Sequence, residues 1–218
     1  MVAFLPQRYV RLILLLLLAT PLHANDWLAA IPDTAFKQCL SELAAQQQWS
    51  DAAAVREIVC HAKGINSVDG INAFVNVEKI SLYNNSIAAL DLVTLPKLRQ
   101  LNLARNKLKS LSLPELPLLN ELFLFNNQMQ QLDLPALAQL QTLKANSNKL
   151  TAFRYRGLPL AEKIYLFDNK LPTMDIDHLP KLHYMDVRQN PMPDDLYQRM
   201  DAMKAATILH DGNAPDWK

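Results

Sequence analysis

Glycine is scarce in this chain of 218 residues, occurring only four times. None of the four belongs to a phosphate-cradling loop: no G-x-x-x-x-G-K-[ST] occurs, nor H-E-x-x-H, nor G-x-S-x-G. The chain therefore lacks the sequence marks of a nucleotide-binding enzyme, a zinc protease or a serine hydrolase. Strong charge of either sign is also missing, with 22 basic against 21 acidic side chains. A near-neutral chain without a basic cluster has no electrostatic footprint for nucleic acid or anionic lipid. Histidine outside the first 24 residues is limited to His61, His178, His183 and His210, scattered rather than grouped. No metal set is expected from them, and no cofactor.

Only two cysteines occur, Cys39 and Cys60. Their meaning depends on the compartment. Residues 1–24 begin with Arg8 and Arg11, continue through an apolar run from Leu12 to Ala19 and end Pro21-Leu22-His23-Ala24. That is the pattern of a secretory signal peptide, with cleavage expected after Ala24. The run is shorter than the roughly 20 residues of a membrane span, and no second apolar run follows. Cleavage would leave 20 basic and 21 acidic side chains, a net charge of −1. In an oxidising compartment an even cysteine count reads as one disulfide. A catalytic cysteine needs an activating base, and His61 merely adjoins Cys60 in sequence; a metal site needs further ligands at coordinating spacing.

What the chain has in abundance is leucine at fixed intervals. Asn85, Asn106, Asn127, Asn148, Asn169 and Asn190 follow one another every 21 residues, each inside the frame L-x-x-L-x-L-x-x-N-x-L. One copy reads Leu98, Leu101, Leu103, Asn106, Leu108 and the next Leu119, Leu122, Leu124, Asn127, Met129. A period in the twenties with this frame marks a leucine-rich repeat. Over residues 56–192 the sequence resembles secreted bacterial leucine-rich repeat proteins. The every-third apolar run Ile65, Val68, Ile71, Phe74, Val77, Ile80 resembles the internalin-like form, and Ile31-Pro32-Asp33 with Phe36 resembles the opening of their N-terminal caps.

The resemblance implies an α/β solenoid: a right-handed leucine-rich repeat coil with a concave parallel β-sheet, an extended convex side and helical caps. The expected organisation is a signal peptide over 1–24, a helical N-terminal cap over 25–55, repeats over 56–192, a C-terminal cap over 193–212 and a tail over 213–218. Ile58-x-Cys60-x-x-Lys63-x-Ile65 reads as one degenerate copy before the six clear ones. Apolar spacing at Phe36, Cys39, Leu40, Leu43 and Ala44 behind Asp33 predicts a capping helix over Thr34–Gln47. A solenoid needs such a polar-faced terminal unit. Cys39 on that helix and Cys60 in the first coil would then join cap to stack.

On the return side, the apolar pairs Leu90/Leu92, Leu111/Leu113, Leu132/Leu134, Phe153/Tyr155 and Met174/Ile176 predict short extended segments with both side chains inward. Asp91, Asp133 and Asp175 point outward there, too far apart to hold one cation. The asparagine ladder is expected to turn inward and bond backbone groups of neighbouring coils, a structural task.

Function is therefore sought at the variable strand positions facing the concave side. Six of these eighteen positions carry Phe or Tyr. The candidate partner-binding residues are Tyr83, Phe123, Phe125, Lys144, Lys163, Tyr165, Phe167, Tyr184 and Arg188. With strands about 4.8 Å apart, Phe123/Phe125 and Tyr165/Phe167 flank the polar Lys144 and Asn146 at roughly 10 Å separation. Aromatic anchors in a polar surround concentrate binding energy at protein interfaces, although Phe and Tyr also simply suit a pleated surface. The expected function is a non-enzymatic module holding a protein or peptide partner in the cell envelope, periplasmic or secreted, of a Gram-negative-type bacterium. Glycan or cell-wall binding is the alternative, because rings also stack on sugars; a hydrolase is the third reading, for which no triad or carboxylate pair emerges.

Overall fold

The structure is a computed structural model that describes residues 26–214. The signal-peptide expectation over 1–24 lies outside the described residues, as do 215–218 of the expected tail. A 3-10 turn at Asp26–Leu28 leads into helix α1 (Thr34–Gln47). The strands follow: β1 (Glu57–Val59), β2 (Lys79–Ser81), β3 (Gln100–Asn102), β4 (Glu121–Phe123), β5 (Gln131–Ala136), β6 (Thr142–Lys144), β7 (Ala152–Gly157), β8 (Lys163–Tyr165) and β9 (Tyr184–Asp186). Helix α2 (Asp194–Ala202) and strand β10 (Thr207–Leu209) close the stack.

Each short strand pairs in parallel with the next, giving an eight-stranded sheet in the order β1-β2-β3-β4-β6-β8-β9-β10. The register is in phase with the 21-residue period, so Ile80, Leu101, Leu122, Leu143, Ile164 and Met185 stand in one column. Ile58 and Ile208 extend that column at the two ends. All eight are buried, and the leucine frame of every coil forms one continuous core with them. Burial of this kind is the main stabilising term, because apolar area removed from water contributes about 25 cal/mol per Å².

Where the chain leaves each strand it turns through a left-handed residue: Ala62, Asn84, Arg105, Asn126, Ser147, Asp168 and Gln189, all with φ between 53° and 59°. Non-glycine residues seldom adopt this conformation, which costs about 1–2 kcal/mol each. The asparagine that follows offsets the cost. Asn106 Nδ2 donates to the carbonyls of Leu82 and Leu103, each at 3.0 Å, while its Oδ1 accepts from the Ile87 N–H. Asn127, Asn169 and Asn190 repeat the arrangement one, three and four coils on. The side chain thus bonds its own coil and the preceding one. Position 63 of the degenerate copy holds Lys instead, and the Lys63 side chain turns outward to pair with Glu42 on α1.

Besides that ion pair, the N-terminal cap is held to the stack by hydrogen bonds, a disulfide and close packing. Asp33 caps α1 by accepting the Phe36 N–H, and its second oxygen accepts the N–H groups of Asn66 and Ser67 in the first coil. Cys39 and Cys60 form a disulfide, both side chains buried. Gly70, with φ 91°, sits against Ala30 and Ile31 where no side chain would fit. At the other end, the ring of His210 stacks on Tyr197 at 4.4 Å and bonds Asp201. Asn213, expected in the tail, is instead tied to the cap through Asp201 and the Ile208 carbonyl.

The return side departs from its expected regularity. Only β5 and β7 form a ladder there, with a single further bridge between Asp91 and Ser112 among the described residues. Tyr155 does not point fully inward as its pair partner Phe153 does. It is half-buried, and its hydroxyl reaches out to donate to the Asp175 carbonyl. A phenol is longer than the Leu or Ile that fills this place in other coils, and its O–H needs a partner.

Candidate functional site

The sheet face turned from the core carries three columns of side chains, one from each outward strand position. The middle column reads Ser81, Asn102, Phe123, Lys144, Tyr165, Asp186, fixed by the strand register. To one side stand Lys79, Gln100, Glu121, Thr142, Lys163 and Tyr184, and to the other Tyr83, Ala104, Phe125, Asn146, Phe167 and Arg188. The structure thus brings all nine sequence-chosen residues onto one face. It distributes them unevenly.

The centre of the face is Lys144. Its ammonium lies 5.2 Å from the ring centroid of Phe123 on one side and 5.2 Å from that of Tyr165 on the other. A cation held between two π faces is attracted by both ring quadrupoles. Two flanking strands supply these rings because each places the same repeat position opposite Lys144. Tyr165 in turn packs on Tyr184 at 5.3 Å. Desolvation there, with the nearby Asp186 charge, raises the Tyr184 phenol above its ordinary pKa.

Toward the N-terminal end, Tyr83 and Phe125 lean together at 6.4 Å across the intervening coil, over Ala104. Only a residue as small as Ala104, fully buried here, leaves room for two rings to close above it. His61 meets the other side of Tyr83 edge-on at 5.7 Å and bonds the Ser81 hydroxyl; the Arg105 guanidinium covers the Tyr83 ring at 5.7 Å. His61 and Arg105 were not among the sequence candidates: His61 holds the place of Tyr83 in the degenerate copy, whose outward positions fall outside the eighteen, and Arg105 stands beyond the three outward positions of its own copy. The left-handed turn at Arg105 is what swings that side chain toward the groove.

The rings are half-buried rather than standing free. The large apolar side chains that are exposed, Val75 and Val93, belong to other parts of the coils. Arg188 differs most from its expectation as a peripheral contact: it is only 9% exposed. Its Nε and Nη2 donate to the two oxygens of Asp186, at 2.9 and 2.6 Å, and this pairing raises its pKa further. Arg188 shapes the end of the face from within rather than projecting from it.

Two hollows lie elsewhere, on the convex side around Tyr155. One of about 810 Å³ is lined by Leu111, Glu115, Asp133, Arg154 and Arg156 among others, and another of about 600 Å³ by Arg156, Asp175 and His178. Both are open troughs left where Tyr155 stands out of its coil. Their charges are mixed, and Arg154 is already paired with Asp133 at 3.2 Å. Burial and the Asp175 and Asp177 charges hold the Tyr155 phenol well above its usual pKa. Among the described residues no group of three or more His, Cys, Asp or Glu is placed to hold a metal ion.

A family model described as two copies of leucine-rich repeats matches residues 75–117, within the stack whose geometry is given above. The chain is a leucine-rich repeat protein. Its fold is similar to that of internalin C2 from Listeria monocytogenes, at 18% identity, over 84% of this chain and 95% of that one, with a TM-score of 0.50. Fainter likenesses are to the functional domain of InlJ from the same species (24% identity, 78% and 52% of the two chains, TM-score 0.37) and to its internalin InlF (14%, 84% and 76%, 0.33). No curated protein matches in sequence. At these identities the likeness to internalin C2 is one of fold. What this leucine-rich repeat protein binds has to be read from its own concave face.

Proposed function

We propose that this leucine-rich repeat protein is an exported, non-enzymatic module that holds a protein or peptide partner on its concave face. The observation that carries the reading is the half-buried aromatic cluster around Lys144, with Phe123, Phe125, Tyr165, Phe167 and Tyr184 on one face. Half-buried rings are already held in place by their neighbours, so little side-chain entropy is lost when a partner covers the remainder. Lys163 and Tyr83 extend the contact surface at its margins. Export is supported by the signal-peptide pattern and by the disulfide, which persists in oxidising compartments.

Sugar stacking is less well supported. It needs open ring faces, whereas Tyr83 and Phe125 are tilted against each other, as are Tyr165 and Tyr184. The test is chemical crosslinking of the purified chain in envelope extract, compared with Phe125→Ala plus Phe167→Ala. Each lost aromatic anchor is expected to weaken binding by about 2 kcal/mol, roughly 30-fold. The captured partner should vanish with the double substitution while circular dichroism shows an intact fold. Retention of every partner would overturn the concave-face reading.

A further inference from the structure

The concave face does not balance its own charges. Lys79 is paired with Glu57 on the neighbouring strand, Asp186 is held by Arg188, and Glu121 accepts a hydrogen bond from Gln100. Lys144 and Lys163 have no carboxylate partner among the described residues. The ammonium of Lys144 is surrounded on two sides by ring carbon, which positions it and offers no oxygen to its three N–H donors. Those donors are directed to the groove by elimination. Lys163 stands one strand further and one outward position back, since Lys144 is in register with Tyr165 and Thr142 with Lys163.

Diagonal neighbours of this kind are about 7–8 Å apart at their bases, close to the roughly 7 Å between alternate residues of an extended chain. Building on the concave-face reading, we infer that the occupant is an extended, acidic peptide segment. One carboxylate docks on Lys144 between Phe123 and Tyr165, and a second, two residues away, docks on Lys163. The rings fix the first cation, so a carboxylate gains a charge-assisted hydrogen bond without immobilising a free lysine. Glu121, across from Thr142, disfavours acid at the far edge and so sets the register of the segment.

The inference is tested on an array of random short peptides probed with the fluorescently labelled purified chain, and then with Lys144→Gln, Lys144→Arg and Lys163→Gln. Bound peptides should be enriched in Asp or Glu at alternate positions. Replacing either acid by its amide should weaken binding about tenfold, the ratio of one charge-assisted contact. Lys144→Gln should abolish the enrichment, Lys144→Arg should keep it, and Lys163→Gln should lose the second acid alone. Bound peptides without acidic enrichment, an unchanged profile in Lys144→Gln, or no bound peptide at all would each overturn it. Should peptides without acids bind and be lost with Phe125→Ala plus Phe167→Ala, the concave-face reading stands and only the acidic segment falls.

Discussion

Substituting Asn127 by Ala removes one rung of the ladder in mid-stack, where its consequences can be worked through. Asn127 is 8% exposed. Its Nδ2 donates to the carbonyls of Leu103 and Leu124, and its Oδ1 accepts from the Leu108 N–H, each at 3.0 Å. Alanine leaves the Leu108 N–H buried without a partner, while the Leu103 and Leu124 carbonyls each lose one of two donors and keep the amides of Asn106 and Asn148. At about 1 kcal/mol net per bond, with an added penalty for the N–H that water cannot reach, the loss is about 3–4 kcal/mol. With a urea slope of roughly 2 kcal/mol/M, the midpoint of unfolding falls by about 1.5–2 M. Asn127→Asp keeps the size but turns two donors toward carbonyls as acceptors, so it is expected to be at least as damaging at neutral pH. Asn85→Ala, at a half-buried rung that solvent reaches, should cost about 1–2 kcal/mol. Equilibrium urea unfolding followed by circular dichroism measures all three. An Asn127→Ala midpoint within about 0.5 M of the parent, well under the loss of one buried bond for each group, would refute the reasoning.

Other consequences follow from the caps and the return side. Reducing the Cys39–Cys60 disulfide, which closes a separation of 21 residues, should lower stability by about 3 kcal/mol and the melting temperature by roughly 6–12 °C, read by calorimetry with and without reductant. Gly70→Ala would set a Cβ 2.5 Å from the Ile31 Cδ1 at a left-handed backbone, and is expected to destabilise by about 2 kcal/mol or more in the same unfolding assay. His178 should titrate above its ordinary value of 6.5, chiefly because its ring hydrogen-bonds Asp175, whose charge adds to the effect. The pairing supports the fold fully below that ordinary value and is lost as pH rises through the raised one. An NMR titration should show the shift disappear in Asp175→Asn, and an unshifted His178 in the parent would contradict it.

The coil was legible because its cause is periodic. Twenty-one residues per turn fix which side chain meets which across every strand, so the core column, the ladder and the capping helix behind Asp33 were all readable from spacing. The cysteines were readable because their number and setting left few partners. The surface of the groove was legible only as a list. Spacing told that Phe123, Lys144 and Tyr165 share a column, but not that the lysine would lie between the rings. Tyr83 meets Phe125 only because Ala104 is small, a matter of the coil between them rather than of either aromatic. Arg188 looked like a projecting cation, and its partner Asp186 lies two residues away at the end of β9, a pairing that spacing alone does not reveal. Tyr155 fell in an inward slot by pattern and left it by size. Pattern assigns faces; volume and hydrogen-bond demand decide how each side chain sits on its face.

The central claim, that a partner lies against the sheet face carrying Lys144, is tested most directly by placing a photoreactive phenylalanine analogue at single positions and illuminating the chain in envelope extract. With the analogue at Phe125 or Phe167, a crosslinked partner is expected. With it at Ser112, on the exposed return side, none is expected. Crosslinking from Ser112 with none from Phe125 or Phe167 would place the partner on the convex side and contradict the claim.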